Sequence, residues 1–171
     1  HKNSTERIAE ACENIDCDIV VNIQGDEPLL FPDHIDKITK PMINDSSIQV
    51  TIGISHYTKQ GDTSNIKAVL DLNNNILFCS RNDIPINYKS SENKYWRLVF
   101  IVPHRKKWIR KYLEWEPTPL ELLEDNHFLR LLEHGIKIKA IEVSDAHISV
   151  DTQKDLDIVN ELMKKDLLKN Q

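Results

Sequence analysis

The chain has 171 residues, enough for one well-cored domain, and its 40% hydrophobic and 29% charged content is that of a globular protein rather than a disordered or fibrous one. A formal net charge of −5 argues against a general nucleic-acid binder, and no apolar stretch approaches the length of a membrane span. Cys12, Cys17 and Cys79 form neither a C-x-x-C pair nor a repeated metal spacing, which speaks against zinc and fits a reducing, cytoplasmic setting.

Asn3-Ser4-Thr5-Glu6 opens with a capping pattern, and Ile8, Ala11, Cys12 and Ile15 recur at helical spacing, so the chain enters through an amphipathic helix with Cys12 turned to the core. The apolar run Ile19-Val20-Val21-Asn22-Ile23 predicts a strand buried on both faces, as at the centre of a parallel sheet. Gln24-Gly25-Asp26-Glu27-Pro28 closes it: Gly25 permits a sharp turn or close approach of a ligand, and Asp26 and Glu27 place two carboxylates at the strand's end. Asp33 can cap a helix carrying Ile35, Ile38 and Met42, ending near Pro41 and Asn44-Asp45. Ile48, Val50, Ile52 and Ile54 alternate with polar residues and predict a half-buried strand.

Apolar runs at 66–70 and 76–79 flank Asp71-Leu72-Asn73-Asn74-Asn75, whose asparagines tolerate left-handed backbone, so a β-hairpin is expected, followed by Ser80-Arg81. After a polar loop from 87 to 94, residues 98–102 read as a strand ended by Pro103. A helix then turns Trp108, Ile109 and Tyr112 inward and a run of basic residues outward; the acidic balance of the chain makes that run a solvated face. Thr118 caps a helix from about 120 to 134 with Gly135 as its stop, and Ile136, Ile138, Ala140 and Ile141 form a strand leading to Val150-Asp151-Thr152. Asp151 or Thr152 caps the last helix, with Leu156, Val159, Leu162 and Met163 on one face. The order of elements is α/β.

Asp26 and Asp151 stand at the ends of two inferred strands. In one sheet those ends converge on one cleft, and paired carboxylates suit Mg²⁺, which takes its other oxygens from water and phosphates. Taken singly, each aspartate reads better as a turn or helix cap than as a ligand.

Seven blocks, in order and across almost the whole chain, resemble the CMP-Kdo synthetases, the 3-deoxy-manno-octulosonate cytidylyltransferases. They are 1–10 (H-K-N-S-T-E-R-I-A-E), 19–28 (I-V-V-N-I-Q-G-D-E-P), 66–71 (I-K-A-V-L-D), 80–85 (S-R-N-D-I-P), 115–121 (W-E-P-T-P-L-E), 129–135 (L-R-L-L-E-H-G) and 150–156 (V-D-T-Q-K-D-L). The resemblance implies a nucleotide-diphospho-sugar-transferase fold, Rossmann-like, with a mixed, mainly parallel sheet, helices on both faces, a β-hairpin insertion and a homodimeric assembly. It implies transfer of CMP from CTP to the anomeric hydroxyl of an acidic 3-deoxy sugar, a step of lipopolysaccharide biosynthesis, with release of pyrophosphate. By the same similarity Asp26 and Asp151 match the magnesium ligands, Gln24 a contact to cytidine and sugar, Thr5 and Arg7 the segment lining the nucleotide, and Arg81 an arginine facing the acceptor, where a bidentate pair can hold a carboxylate.

The sequence departs from the family at informative places. Nothing corresponds to its opening strand and R-L-P-G-K-P-L-like loop, so residues 1–171 read as a single domain whose N-terminal strand and triphosphate loop are missing. Leu98 stands where the family has a sugar-contacting histidine, Phe100 where it has a glycine, and His127-Phe128 where it has Glu-Gln. These changes gather on the acceptor side and leave the metal side intact. The alternative reading is a non-catalytic homologue serving as a binding or dimerisation module.

Overall fold

The computed structural model describes residues 4–86, 88–89, 94–144, 149–150 and 152–164. Within them the chain runs α1 (Ser4–Ala11), β1 (Ile19–Ile23), α2 (Pro32–Asn44), β2 (Val50–Tyr57), β3 (Lys67–Leu70), β4 (Ile76–Ser80), β5 (Tyr95–Val99), β6 (Ile101–Arg105), α3 (Lys106–Leu113), α4 (Pro119–Glu124), α5 (Phe128–Glu133), β7 (Ile138–Glu142) and α6 (Gln153–Met163). The seven strands form one sheet in the order β1-β6-β2-β5-β3-β4, with β7 on the other edge of β2.

The sheet is mixed, but it is not mainly parallel as expected. Among the described residues only β2 and β7 pair in parallel; β1–β6, β2–β5, β2–β6, β3–β4 and β3–β5 are antiparallel. An apolar run reports burial and carries no information on the direction of its neighbour, which is why the direction was not legible. For the same reason β1 was misplaced: it is the first strand of the order rather than its centre, and Asn22 is its one buried residue.

The central strand is β2. Its residues 50–55 are buried on both faces, so the expected half-buried strand is covered on its polar side too. Val50, Ile52 and Ile54 pack with Tyr112 of α3 and with Phe128, Leu129 and Leu131 of α5. Thr51 and Gly53 face α2, where Thr51 Oγ1 donates to the Ile38 carbonyl at 2.8 Å. The sheet therefore carries helices on both faces.

Pro103 does not end the strand at 98–102. It sits inside β6 opposite Val21, while Phe100 breaks the ladder into β5 and β6. Between the pairs Gly53↔Val99 and Val50↔His104 the β5–β6 side runs two residues longer, a bulge that lets one edge of this segment pair with β3 and then with β1.

The hairpin forms as expected, with Asn74 in the left-handed region at φ 57. Its tip reaches β7, where Ala140 N donates to the Asn74 carbonyl at 2.8 Å. The helix expected over 120–134 is two helices. Asp125 turns left-handed at φ 47, and Asn126 Oδ1 accepts from Phe128 N at 3.2 Å to start the second. Gly135, at φ 75, ends α5 as expected, with Gly135 N bonded to the Leu132 carbonyl and Ile136 N to that of Leu131. Ile15 lies beyond the end of α1 and is exposed, Trp108 is half-buried beside the buried Ile109 and Tyr112, and on α6 only Val159 of the expected face is buried.

Candidate active site at the end of β1

The turn after β1 does what its residues suggest. Glu27 N donates to the Gln24 carbonyl at 3.3 Å, closing the turn, and a Cβ on Gly25 would meet no atom within 4 Å, so the backbone there is open to a ligand. Ser4, Arg7, Ile8, Asn22, Ile23, Gln24, Gly25 and Asp26 line a cavity of about 490 Å³, a size suited to a small molecule. Three of the residues singled out in the sequence, Arg7, Gln24 and Asp26, thus meet at one place although α1 and β1 are separate elements. Thr5, the fourth from this region, is buried and turned into the protein rather than towards the cavity.

Asp26 Oδ1 is buried with no hydrogen-bond partner among the described residues. A desolvated carboxylate oxygen left in this state costs free energy unless a cation or donor completes it, so the residue fits a metal ligand. No group of three or more His, Cys, Asp and Glu side chains able to hold a metal occurs among the described residues.

Asp151 lies outside the described residues, but Ser149 and Val150 are tied to the turn of Asp26 and Glu27. Val150 N donates to the Asp26 carbonyl at 2.9 Å, and Ser149 Oγ donates to Glu27 Oε1 at 2.8 Å. Glu27 is buried, so its carboxylate fastens the two segments together. Sequence reading missed Ser149; a lone serine before Val150-Asp151 carries no pattern that could have flagged it.

Arg81 does not line the cavity of Asp26. It joins β4 to α4: Nε donates to the Glu124 carbonyl at 3.0 Å, Nη1 to that of Thr63 at 3.1 Å and Nη2 to that of Asp125 at 3.1 Å. Ser80 Oγ and Arg81 N both donate to the Glu124 carboxylate, at 2.8 and 3.0 Å.

The departures noted in the sequence form one packed group. Leu98 is buried, Phe100 stacks on Phe128 with ring centroids 6.1 Å apart, and His127 lies 4.4 Å from Phe128. Burial holds the imidazole of His127 down to about 4, and burial together with the neighbouring His127 holds that of His104 down to about 3.

The cytidylyltransferase family profile matches residues 1–138. A 3-deoxy-manno-octulosonate cytidylyltransferase of Geobacter metallireducens is 34% identical over 96% of this chain and 70% of its own length. The chain belongs to this cytidylyltransferase family. The mitochondrial 3-deoxy-manno-octulosonate cytidylyltransferase of Arabidopsis thaliana is 35% identical, over 96% of this chain and 59% of that protein. The solved CMP:2-keto-3-deoxy-manno-octonic acid synthetase complexed with CTP superposes with a TM-score of 0.92 at 28% identity, covering 98% of this chain and 70% of that one. The inositol-1-phosphate CTP transferase of T. maritima, at 17% identity and a TM-score of 0.62, shares the fold.

Proposed function

We propose that this chain transfers CMP from CTP to the anomeric hydroxyl of an acidic 3-deoxy sugar, Kdo or a close relative, and releases pyrophosphate. The observation that carries the reading is the unpartnered, buried Oδ1 of Asp26 in the cavity it shares with Arg7 and Gln24, in a chain whose relatives carry this activity in their names. The protein acts as a homodimer in the cytoplasm.

Asp26 and Asp151 would hold Mg²⁺, a reading supported by the orphaned oxygen of Asp26 and by the bond from Val150 N to the Asp26 carbonyl. Bound there, the ion supplies neutralisation of the triphosphate and of charge on the α-phosphoryl group. Arg7 binds the nucleotide's anionic part, and Gln24 orients base and sugar through its amide. Glu27, through Ser149, keeps the two metal-bearing segments in register. No protein nucleophile is needed, because the acceptor hydroxyl attacks the phosphorus in line and the chain contributes positioning and electrostatics.

The test is pyrophosphate release from CTP and Kdo with Mg²⁺. Asp26→Ala and Asp151→Ala each lose turnover while circular dichroism shows an unchanged fold. Retained turnover in either variant overturns the assigned metal site.

A further inference from the structure

A cavity of about 660 Å³ opens at the amino end of β1, beside the start of α3, and shares no residue with the cavity of Asp26. The two lie at opposite ends of one strand: Cys17 and Asp18 precede Ile19, while Gln24 and Asp26 follow Ile23. Five residues of strand separate them by about 17 Å. Lys106 N donates to the Asp18 carbonyl at 3.0 Å, which ties the two walls of the opening together.

Four cations line this cavity, Arg105, Lys106, Lys107 and Arg110, against two carboxylates, Asp16 and Asp18. Arg105 and Lys106 are half-buried and held by neutral oxygens. Arg105 Nε donates to the Ile48 carbonyl at 3.2 Å, and Nη2 donates to that of Asp45 at 3.2 Å and to that of Met42. Lys106 Nζ donates to the Glu13 carbonyl at 3.3 Å and to that of Ile15, and Arg110 Nη2 donates to the Glu13 carbonyl at 3.4 Å. Carbonyls fix the direction of these side chains without cancelling their charge, and the ion pairs between described residues are formed elsewhere. Lys111, next along α3, has a different use and lies over the Trp108 ring at 5.0 Å.

In a chain of net charge −5, four cations grouped at one opening without an ion pair repel one another, a cost that a bound anion removes. The carbonyl bonds use Nε and Nη2 of Arg105 and leave Nη1 to a ligand. Asp16 and Asp18 narrow the class. Both are exposed, and beside a bound anion their carboxylates favour hydrogen-bond donors over further negative charge, as the hydroxyls of a sugar supply.

We propose that this cavity is a second small-molecule site, taking a phosphate ester of a polyhydroxylated sugar, free or carried in a nucleotide, with the phosphate on the four cations and hydroxyls on Asp16 and Asp18. Guanidinium and ammonium groups donate charge-assisted hydrogen bonds to phosphate oxygens. A volume of about 660 Å³ exceeds what one inorganic phosphate fills and lies in the range of small-molecule pockets. The site uses no residue assigned to CMP transfer.

Cys17 supplies the readout. It lines the cavity and is half-buried, whereas Cys12 and Cys79 are buried, so its alkylation by neutral iodoacetamide reports whether the opening is occupied. The purified protein is titrated with D-ribose 5-phosphate, AMP, D-ribose and inorganic phosphate at ionic strength held constant with sodium chloride. Alkylation of Cys17 and the amide NMR shifts of residues 16–18 and 105–110 are followed. Ribose 5-phosphate, AMP or both slow alkylation saturably and shift these amides, and which of them binds tells a free sugar phosphate from a nucleotide. Ribose and inorganic phosphate each bind at least about tenfold more weakly, the first for want of charge-assisted hydrogen bonds and the second for want of hydroxyls. The double variant Lys107→Gln, Arg110→Gln, at two exposed positions, lowers affinity for the ester by about tenfold with an unchanged circular dichroism spectrum. Asp16→Ala with Asp18→Ala removes the preference for ester over inorganic phosphate. No saturable effect of either ester, equal binding of ribose or of inorganic phosphate, or unchanged affinity in the Lys107, Arg110 variant overturns the proposal. Absence of CTP turnover in the wild-type protein would sink the transferase reading and leave this result standing.

Discussion

At the scale of the residue, the buried His104 and the half-buried His127 bear on how the protein responds to acid. His104 on β6 is 5% exposed, and burial keeps it and His127 neutral in the fold, down to about 3 and about 4. In the unfolded chain both titrate near 6.5, so below that pH the unfolded state binds more protons than the folded one. The stability they contribute is complete above about pH 6.5 and is lost as pH falls towards 4, by on the order of 2 kcal/mol per imidazole at pH 5. Urea unfolding at pH 7 and pH 5 checks this: the wild type weakens, and the double variant His104→Gln, His127→Gln loses most of that dependence. An equal slope in both proteins would place the acid sensitivity elsewhere.

Between elements, the closest fit is that of α2 on the sheet. A Cβ added at Gly53 would lie 2.9 Å from Ile38 Cδ1, 3.0 Å from Val99 Cβ and 3.2 Å from the Val99 carbonyl oxygen. The isoleucine tip can swing aside, but the β5 backbone cannot. Gly53→Ala therefore costs about 1–3 kcal/mol by overpacking, read as a lowered urea midpoint at unchanged m-value. A neutral outcome would mean that α2 is free to lift from the sheet. On the opposite face α4 and α5 are joined by a buried ion pair, in which Arg130 Nε and Nη2 donate to Glu121 at 2.5 and 2.7 Å, so the break at Asp125 leaves the two helices one packing unit.

Across the whole molecule, protection is expected to fall from the centre of the sheet to its ends. β2 is paired on both edges and buried on both faces, whereas among the described residues β1 pairs only with β6 and its chain is half-buried. Hydrogen exchange followed by NMR should find the β2 amides opening only with global unfolding and those of β1 opening earlier. Equal protection in β1 and β2 would show that the free edge of β1 is covered. The same gradient bears on function, since the Gln24–Asp26 turn hangs from the less protected strand and is held by the bonds of Val150 and Ser149.

Residue type and spacing were enough to mark most of the elements, the hairpin with Asn74, the stop at Gly135, and the turn of Gln24, Gly25 and Asp26, because these depend on local backbone preference and on the period of apolar residues. Ordered motifs over the chain were enough to reach the cytidylyltransferase family. Strand direction and neighbours were not legible, because a fully buried strand has the same composition beside a parallel or an antiparallel partner. Nor could sequence show that Arg81 is bound up with Thr63, Glu124 and Asp125, that Ser149 holds Glu27, or that Ser55, Arg97 and Lys67 stand in one row. Those facts come from long-range pairing, which places residues dozens of positions apart side by side, and only the tertiary structure decides it.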